Sequence, residues 1–330
     1  MAENFPRQPL LAQIRQSPPL DLSLPYKTTS LPQKHILITG AASGLGASFA
    51  TAWASAGASV VASDINEAAG TALVASLRSK TGNANVHFVP CDVTSWTDQV
   101  ALFRRAVELS PHGGIDCVVA NAGIAGKEPL QTAPPRVGDP NPPPPNLKVL
   151  KVNLDGVVYT THLALAYLKA NPGSAAPSDS TLEGPRDRHL LLVGSLASLA
   201  PIAGQPLYGA AKHGVLGLFR ALRASAFMSG VRVNLLMPYF VATPIMPAAG
   251  RALLAGQPLA QIEDVVDAAT RLVADHGIRG RGLAVGPRIR VVEEKAVWEA
   301  YADDFEDSEA FTRRVTGLMN KAVRYGVLGW

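Results

Sequence analysis

Tyr208 and Lys212 stand four residues apart in YGAAK, a spacing that on a helix puts a phenol and an ammonium group one turn apart on the same face. A free phenol titrates near 10 and holds its proton at neutral pH, whereas a fixed cation beside it favours the phenolate. Such a tyrosine could take up or deliver a proton in the working pH range. The pair alone is not specific. With 7 tyrosines in 330 residues, a lysine lying along a half-buried tyrosine on an amphipathic helix fits it equally well.

A second constellation stands near the other end of the chain. TGAASGLG, Thr39 to Gly46, follows the apolar run HILIT and opens the helix-like stretch ASFATAWASAGA. Glycines between a strand and a helix let the backbone turn sharply and let a pyrophosphate approach the amides at the helix N-terminus, where the dipole favours negative charge. The next strand, SVVASD, ends in Asp64, 18 residues beyond Gly46. A carboxylate there can accept both hydroxyls of an adenosine ribose and repels a 2'-phosphate, and SDINEAAG offers no Arg or Lys to receive one. NAD is therefore favoured over NADP. Asp64 also suits a plain cap on the helix beginning near INEAAG.

Both constellations need elements to hold them. Strand-like HILITG, SVVASD, VHFVPCD, IDCVVANAG, HLLLVGS and VRVNLLMP alternate with helix-like NEAAGTALVASLRSK, WTDQVALFRRAVEL, a stretch from about Leu147 to Ala170, and the segment carrying Tyr208. This rhythm predicts an α/β fold, a doubly wound parallel sheet covered on both faces, with the ligand at the carboxyl ends of the strands. Residues 1–33, with six prolines, read as an irregular arm with one short helix near LLAQIRQ. The main domain covers 34–287, and two segments interrupt it. KEPLQTAPPRVGDPNPPPPN, 127–146, reads as a surface loop with a polyproline II section, and 171–188 as a second flexible insertion. Residues 288–330 read as a helical extension of two helices.

Hydrophobic residues make up 47% of the chain and charged ones 17%, enough to bury a large core. The net charge is +4, with Lys and Arg scattered, which argues against nucleic acid as a partner. No run of about 18 apolar residues and no apolar leader is present, so a soluble cytoplasmic protein without a membrane partner is expected. Cys91 and Cys117 read as small buried hydrophobes, and no His/Cys cluster has metal-ligand spacing.

Taken in order, these motifs resemble the short-chain dehydrogenase/reductase family from about Lys34 to Pro287: TGAASGLG, Asp92 in CDVT, NAG at Asn121 to Gly123, Asn153 in KVNLDGV, Ser195 in VGSLAS, and YGAAK. Within the family the style is similar to fungal NAD-dependent members of the hydroxyprostaglandin/hydroxyaverantin dehydrogenase type. The resemblance implies a single Rossmann-fold domain. It implies a catalytic set of Asn153, Ser195, Tyr208 and Lys212, in which Tyr208 is the base in oxidation and the acid in reduction. Lys212 lowers the pKa of Tyr208 and binds the nicotinamide ribose, Ser195 binds the reacting oxygen, and Asn153 holds the helix geometry and a water linking Lys212 to solvent. It also lays the dinucleotide along Gly40, Ser43, Gly44, Leu45, Gly46, Asp64, Asp92, Val93, Asn121, Ala122, Gly123, Tyr208, Lys212, Pro238, Val241 and Thr243. The implied function is interconversion of a small, largely apolar secondary alcohol and its ketone by a homodimer or homotetramer, in fungal secondary metabolism. A non-catalytic NAD sensor or scaffold acting through its proline-rich loop is the alternative. The family's Pro-Gly after the sixth strand is Pro238-Tyr239 here, which predicts an altered rim of the site.

Overall fold

The computed structural model describes residues 17–126, 128, 130, 134–175, 186–246, 256, 258–289 and 295–299. The short helix expected near LLAQIRQ and the tail beyond residue 299 lie outside the described residues.

Strands β1 (His35–Thr39), β2 (Ser59–Asp64), β3 (Val86–Pro90), β4 (Cys117–Ala120), β5 (His189–Val193), β6 (Arg232–Pro238) and β7 (Gly282–Ile289) form a parallel sheet in the order β3-β2-β1-β4-β5-β6-β7. An eighth strand, β8 (Lys295–Glu299), pairs antiparallel with β7. Here the sequence reading is corrected: this stretch extends the sheet instead of starting a helix. Its alternation KAVWE suits a strand, and β7 offers an unpaired edge beside it.

The central strands are mostly apolar because both faces are covered, and β1, β4 and β5 are buried at every residue. The crossover helices are α1 (Gly44–Ser55), α2 (Glu67–Thr81), α3 (Trp96–Glu108), α4 (Lys148–Lys169), α5 (Pro206–Ser229) and α6 (Ile262–Ala274). Within α4, Lys151–Asp155 forms one π-helical turn between α-helical Lys148–Leu150 and Gly156–Lys169. The last helix and strand of the parallel set, α6 and β7, were not picked out from the sequence. The chain reverses direction across the sheet between β1 and β4, which run out from the sheet centre to opposite edges. A crevice opens there at the strands' carboxyl ends.

Residues 17–30 form no helix or strand, and a 3-10 turn at Leu31–Gln33 leads into β1. The proline-rich residues 134–146 are all exposed and form no helix or strand. The second insertion is closed at its root by a parallel bridge between Ser174 and Arg186.

Candidate active site

The glycine turn leaves β1 with Gly40 and Gly44 at φ +66 and +55, a region that disfavours any side chain. Gly46 is required for a different reason. A Cβ there would stand 2.2 Å from the Gly40 carbonyl oxygen and 2.6 Å from Asn121 Nδ2. Asn121 in turn donates from Nδ2 to the carbonyls of Thr39 (2.9 Å) and Gly40 (3.0 Å), locking the turn onto the end of β4. Thr39 Oγ1 accepts from the Asn121 and Ala122 amides at 3.1 and 3.2 Å. Ser43 precedes α1 in extended conformation and Leu45 lies in its first turn. The first amides of α1 thus stand over the glycine bend, a cradle that fits a diphosphate.

Asp64 is partly exposed at the tip of β2, where Oδ2 accepts from the Ala42 amide (3.0 Å) and Oδ1 from the Asn66 amide (2.9 Å). The plain-cap reading of Asp64 fails, because α2 is capped by Asn66, whose side chain accepts from the Ala69 amide. Asp64 therefore braces the glycine turn and faces the rim where a ribose would lie. At the tip of β3, Asp92 accepts from the Thr94 amide and hydroxyl at 2.9 and 2.8 Å. Val93 beside it is buried against Gly156, where a Cβ would stand 2.9 Å from Val93 Cγ2.

Across the crevice, Asn153 sits in the middle of the π turn, fully buried. Its side chain clasps one backbone unit of the loop after β4, accepting from the Ile124 amide and donating to the Ile124 carbonyl, each at 2.8 Å. A π turn is the local means by which a helix re-aims a side chain. The space above Gly123 joins the elements. A Cβ there would meet Asn153 Oδ1 at 3.4 Å and Lys212 Nζ at 3.8 Å. Lys212 is buried and donates from Nζ to the Val193 carbonyl at 3.0 Å. Burial pulls it down to about 8, so the ammonium keeps its proton at neutral pH.

Ser195 follows β5 and caps the 3-10 turn Leu196–Ser198, its Oγ accepting from the Ala197 amide at 3.2 Å. It also hydrogen-bonds the Tyr208 side chain. Lys212 Nζ lies 5.8 Å from the centre of the Tyr208 ring. Burial pushes Tyr208 above its ordinary value, and the Ser195 hydrogen bond pulls it back in part.

The wall after β6 is formed by Pro238, buried Tyr239, Val241 and Thr243. The Tyr239 amide donates to the Val285 carbonyl at 2.7 Å, and its ring meets Phe240 edge to face with centroids 4.9 Å apart. A side chain in place of the family's glycine is thus packed into the core beside the site. Thr243 reaches the opposite wall, since a Cβ on Gly44 would lie 3.5 Å from Thr243 Cβ.

The glycine turn, Asp64, Asp92, the Asn121–Gly123 turn, Asn153, Ser195, Tyr208, Lys212 and Thr243 all line the carboxyl end of one sheet. The chain matches the family described as short chain dehydrogenase over residues 34–253. It belongs to that family. A relative called 5'-hydroxyaverantin dehydrogenase, from Dothistroma septosporum, is 39% identical over 77% of this chain and 84% of its own. A 15-hydroxyprostaglandin dehydrogenase [NAD(+)] from Macaca fascicularis is 31% identical over 80% and 88%. Among solved structures, a 3-ketoacyl-(acyl-carrier-protein) reductase from Brucella melitensis complexed with NADH superposes with a TM-score of 0.62. It is 25% identical, covering 77% of this chain and 96% of that one. The protein is thus an oxidoreductase of a family that acts on CH–OH groups with a nicotinamide cofactor. Among the described residues, no helix is long and apolar enough to cross a membrane and no acid/His/Cys group is arranged for a metal ion.

Two residues of the site escaped the sequence reading. Glu128 lies in the proline-rich stretch, yet it is buried, and its carboxylate accepts from the Leu207 and Tyr208 amides. Gln99, fully buried on α3, donates to the carbonyls of Val93 (2.7 Å) and Gly156 (2.9 Å) and fixes α4 against the Asp92 turn. Neither belongs to a motif. Glu128 had a faint signal, since α5 starts at GQPLY without a capping residue of its own.

Proposed function

We propose that the protein is an NAD-dependent dehydrogenase that interconverts a small, largely apolar secondary alcohol and its ketone, with Tyr208 as general acid/base. The observation that carries this reading is the half-buried Tyr208, its Ser195 hydrogen bond and the buried Lys212 ammonium, in one crevice with the glycine turn. When bound, the nicotinamide supplies the hydride acceptor or donor. In oxidation Tyr208 takes the hydroxyl proton as the carbon–hydrogen bond gives up its electron pair. Ser195 would donate a hydrogen bond to the same oxygen, and Lys212 would hold the ribose hydroxyls of the bound cofactor and supply the positive charge that a phenolate needs. Asn153 keeps the loop after β4 and the helix in register beneath them. NAD is favoured over NADP because the Asp64 carboxylate stands at the tip of β2 and is followed by an exposed, uncharged Ile65. Substrate class and a place in fungal secondary metabolism draw support from the Dothistroma septosporum relative.

Homodimer or homotetramer formation is part of the same reading. Trp96 and Val158 are 43% and 41% exposed beside Tyr159, which packs edge to face on Trp96, an apolar patch on α3 and α4 suited to a second copy. Sedimentation velocity showing only monomer would remove this part.

The decisive experiment is deuteride transfer from labelled NADH to a panel of alkyl and aryl ketones. Tyr208→Phe is expected to lower the rate by about 10²–10⁴-fold while NADH still binds. NADH binding with no transfer to any ketone would favour a sensor over an enzyme.

A further inference from the structure

The loop after β4 is clasped three times within eight residues. Asn121 is bonded to the end of β1, Ile124 to Asn153 of α4, and Glu128 to the start of α5. The third clasp is unusual in chemistry. Helix α5 opens Gln205-Pro206-Leu207-Tyr208, with no Ser, Thr, Asp or Asn to receive its first amides. Pro206 has no N–H to satisfy, and Gly209 donates to the Gln205 carbonyl at 2.9 Å. The two remaining amides, those of Leu207 and Tyr208, both donate to Glu128, the Tyr208 bond measuring 2.8 Å. A carboxylate 79 residues earlier in the chain therefore completes the first turn of the helix and does so with charge-assisted bonds. At 7% exposure the pair of bonds is shielded from competing water.

We propose that Glu128 is a positioning residue for the reaction, fixing Tyr208 relative to the cofactor-side loop through the backbone amide of Tyr208 itself. This rests on the acid/base reading of Tyr208. The consequence is geometric. The loop carrying Asn121 to Gly123, which would flank the nicotinamide half of the dinucleotide, and the helix carrying the phenol are held to one another through a single side chain. Loss of that side chain frees the first turn of α5, and the phenol with it, while Lys212, one turn further on and bonded to the Val193 carbonyl, stays in place.

The test compares Glu128→Ala and the near-isosteric Glu128→Gln with wild type and Tyr208→Phe. NADH serves as the binding probe and the panel ketone with the fastest wild-type transfer as the substrate. Glu128→Ala is expected to lower kcat about 10–100-fold, with KM for the ketone and Kd for NADH within twofold, and to shift the pH midpoint of kcat. Glu128→Gln, which keeps one acceptor, should recover part of kcat. Independently of any substrate, hydrogen exchange at the Leu207 and Tyr208 amides should accelerate more than tenfold in Glu128→Ala. A folded Glu128→Ala with wild-type kcat and pH profile, or with unchanged exchange at these amides, overturns the proposal. If Tyr208→Phe abolishes transfer in that same series, the acid/base reading survives without it. If Tyr208→Phe transfers at the wild-type rate, the reading fails and takes the proposal with it. Should Glu128→Ala not fold, kcat and amide exchange in Glu128→Gln decide alone, wild-type values of both counting against it.

Discussion

In the proposed function, single side chains decide the cofactor and the chemistry. Asp64 is held by the amides of Ala42 and Asn66, so its carboxylate is fixed at the tip of β2. Replacing Asp64 with Ser and Ile65 with Arg removes the repulsion and supplies a cation, and the ratio of kcat/KM for NADP to that for NAD should rise by two orders of magnitude or more. Steady-state kinetics with both cofactors checks this, and an unchanged ratio would show that Asp64 does not choose the cofactor. Cysteine chemistry plays no part at this scale. Burial pushes the Cys91 and Cys117 thiols up to about 12 each, where neither is a nucleophile.

At the scale of elements, the glycine turn and the π turn are two pieces of irregular backbone that hold candidate site residues. Gly46→Ala places a methyl group 2.2 Å from the Gly40 carbonyl oxygen, a backbone atom that cannot rotate away. The turn must open, and with it the Asn121 bonds that join β1 to β4. Dinucleotide affinity should fall at least 100-fold, with a smaller loss of thermal stability, by NADH fluorescence titration and calorimetry. Gly209→Ala on α5 serves as a control, since nothing lies within 4 Å of its added Cβ; it should leave both nearly unchanged.

For the molecule as a whole, the end of the sheet opposite the crevice holds a buried ionic knot. Asp187 accepts from Lys34 Nζ (2.6 Å) and from Arg232 Nε and Nη2 (2.8 and 2.6 Å), all three side chains 3% exposed or less. The two cations hold the Asp187 carboxyl well below the ordinary range. It thus joins the start of β1, the root of the second insertion and β6. Asp187→Asn leaves two cations without their counter-charge and should cost about 3–5 kcal/mol in urea unfolding. A loss under 1 kcal/mol would mean that the knot relaxes or takes up water. Histidines set the acid limit. His35, fully buried between Ser59 Oγ and the Ala106 carbonyl, is lowered by burial to about 4. The folded state keeps it neutral while the unfolded chain protonates it below about 6.5. Its contribution is therefore complete above that value and is lost progressively as pH falls towards 4. Fully buried His189, held well below its ordinary value by burial and Arg232, acts in the same direction. Unfolding free energy should fall between pH 7 and pH 5, and a flat profile by urea titration over that window would contradict the buried neutral state.

Much of this was legible in the sequence because it rests on local rules. Alternating apolar runs and amphipathic stretches gave a doubly wound sheet, glycines at a strand–helix junction gave the turn, and Tyr208 and Lys212 share a helix, so their spacing alone puts them together. What the tertiary structure decided is what local rules do not reach. The strand at Lys295–Glu299 depends on the open edge of β7. The choice of Asn66 over Asp64 as cap depends on where Asp64 finds the Ala42 amide. The π turn depends on Ile124 meeting Asn153. Glu128 reaches the start of α5 only because the loop after β4 folds over it. Sequence spacing fixed the order of phenol and ammonium along the helix, but only packing set how deeply the phenol is buried and where the ammonium points, and electrostatic effects depend on those two quantities.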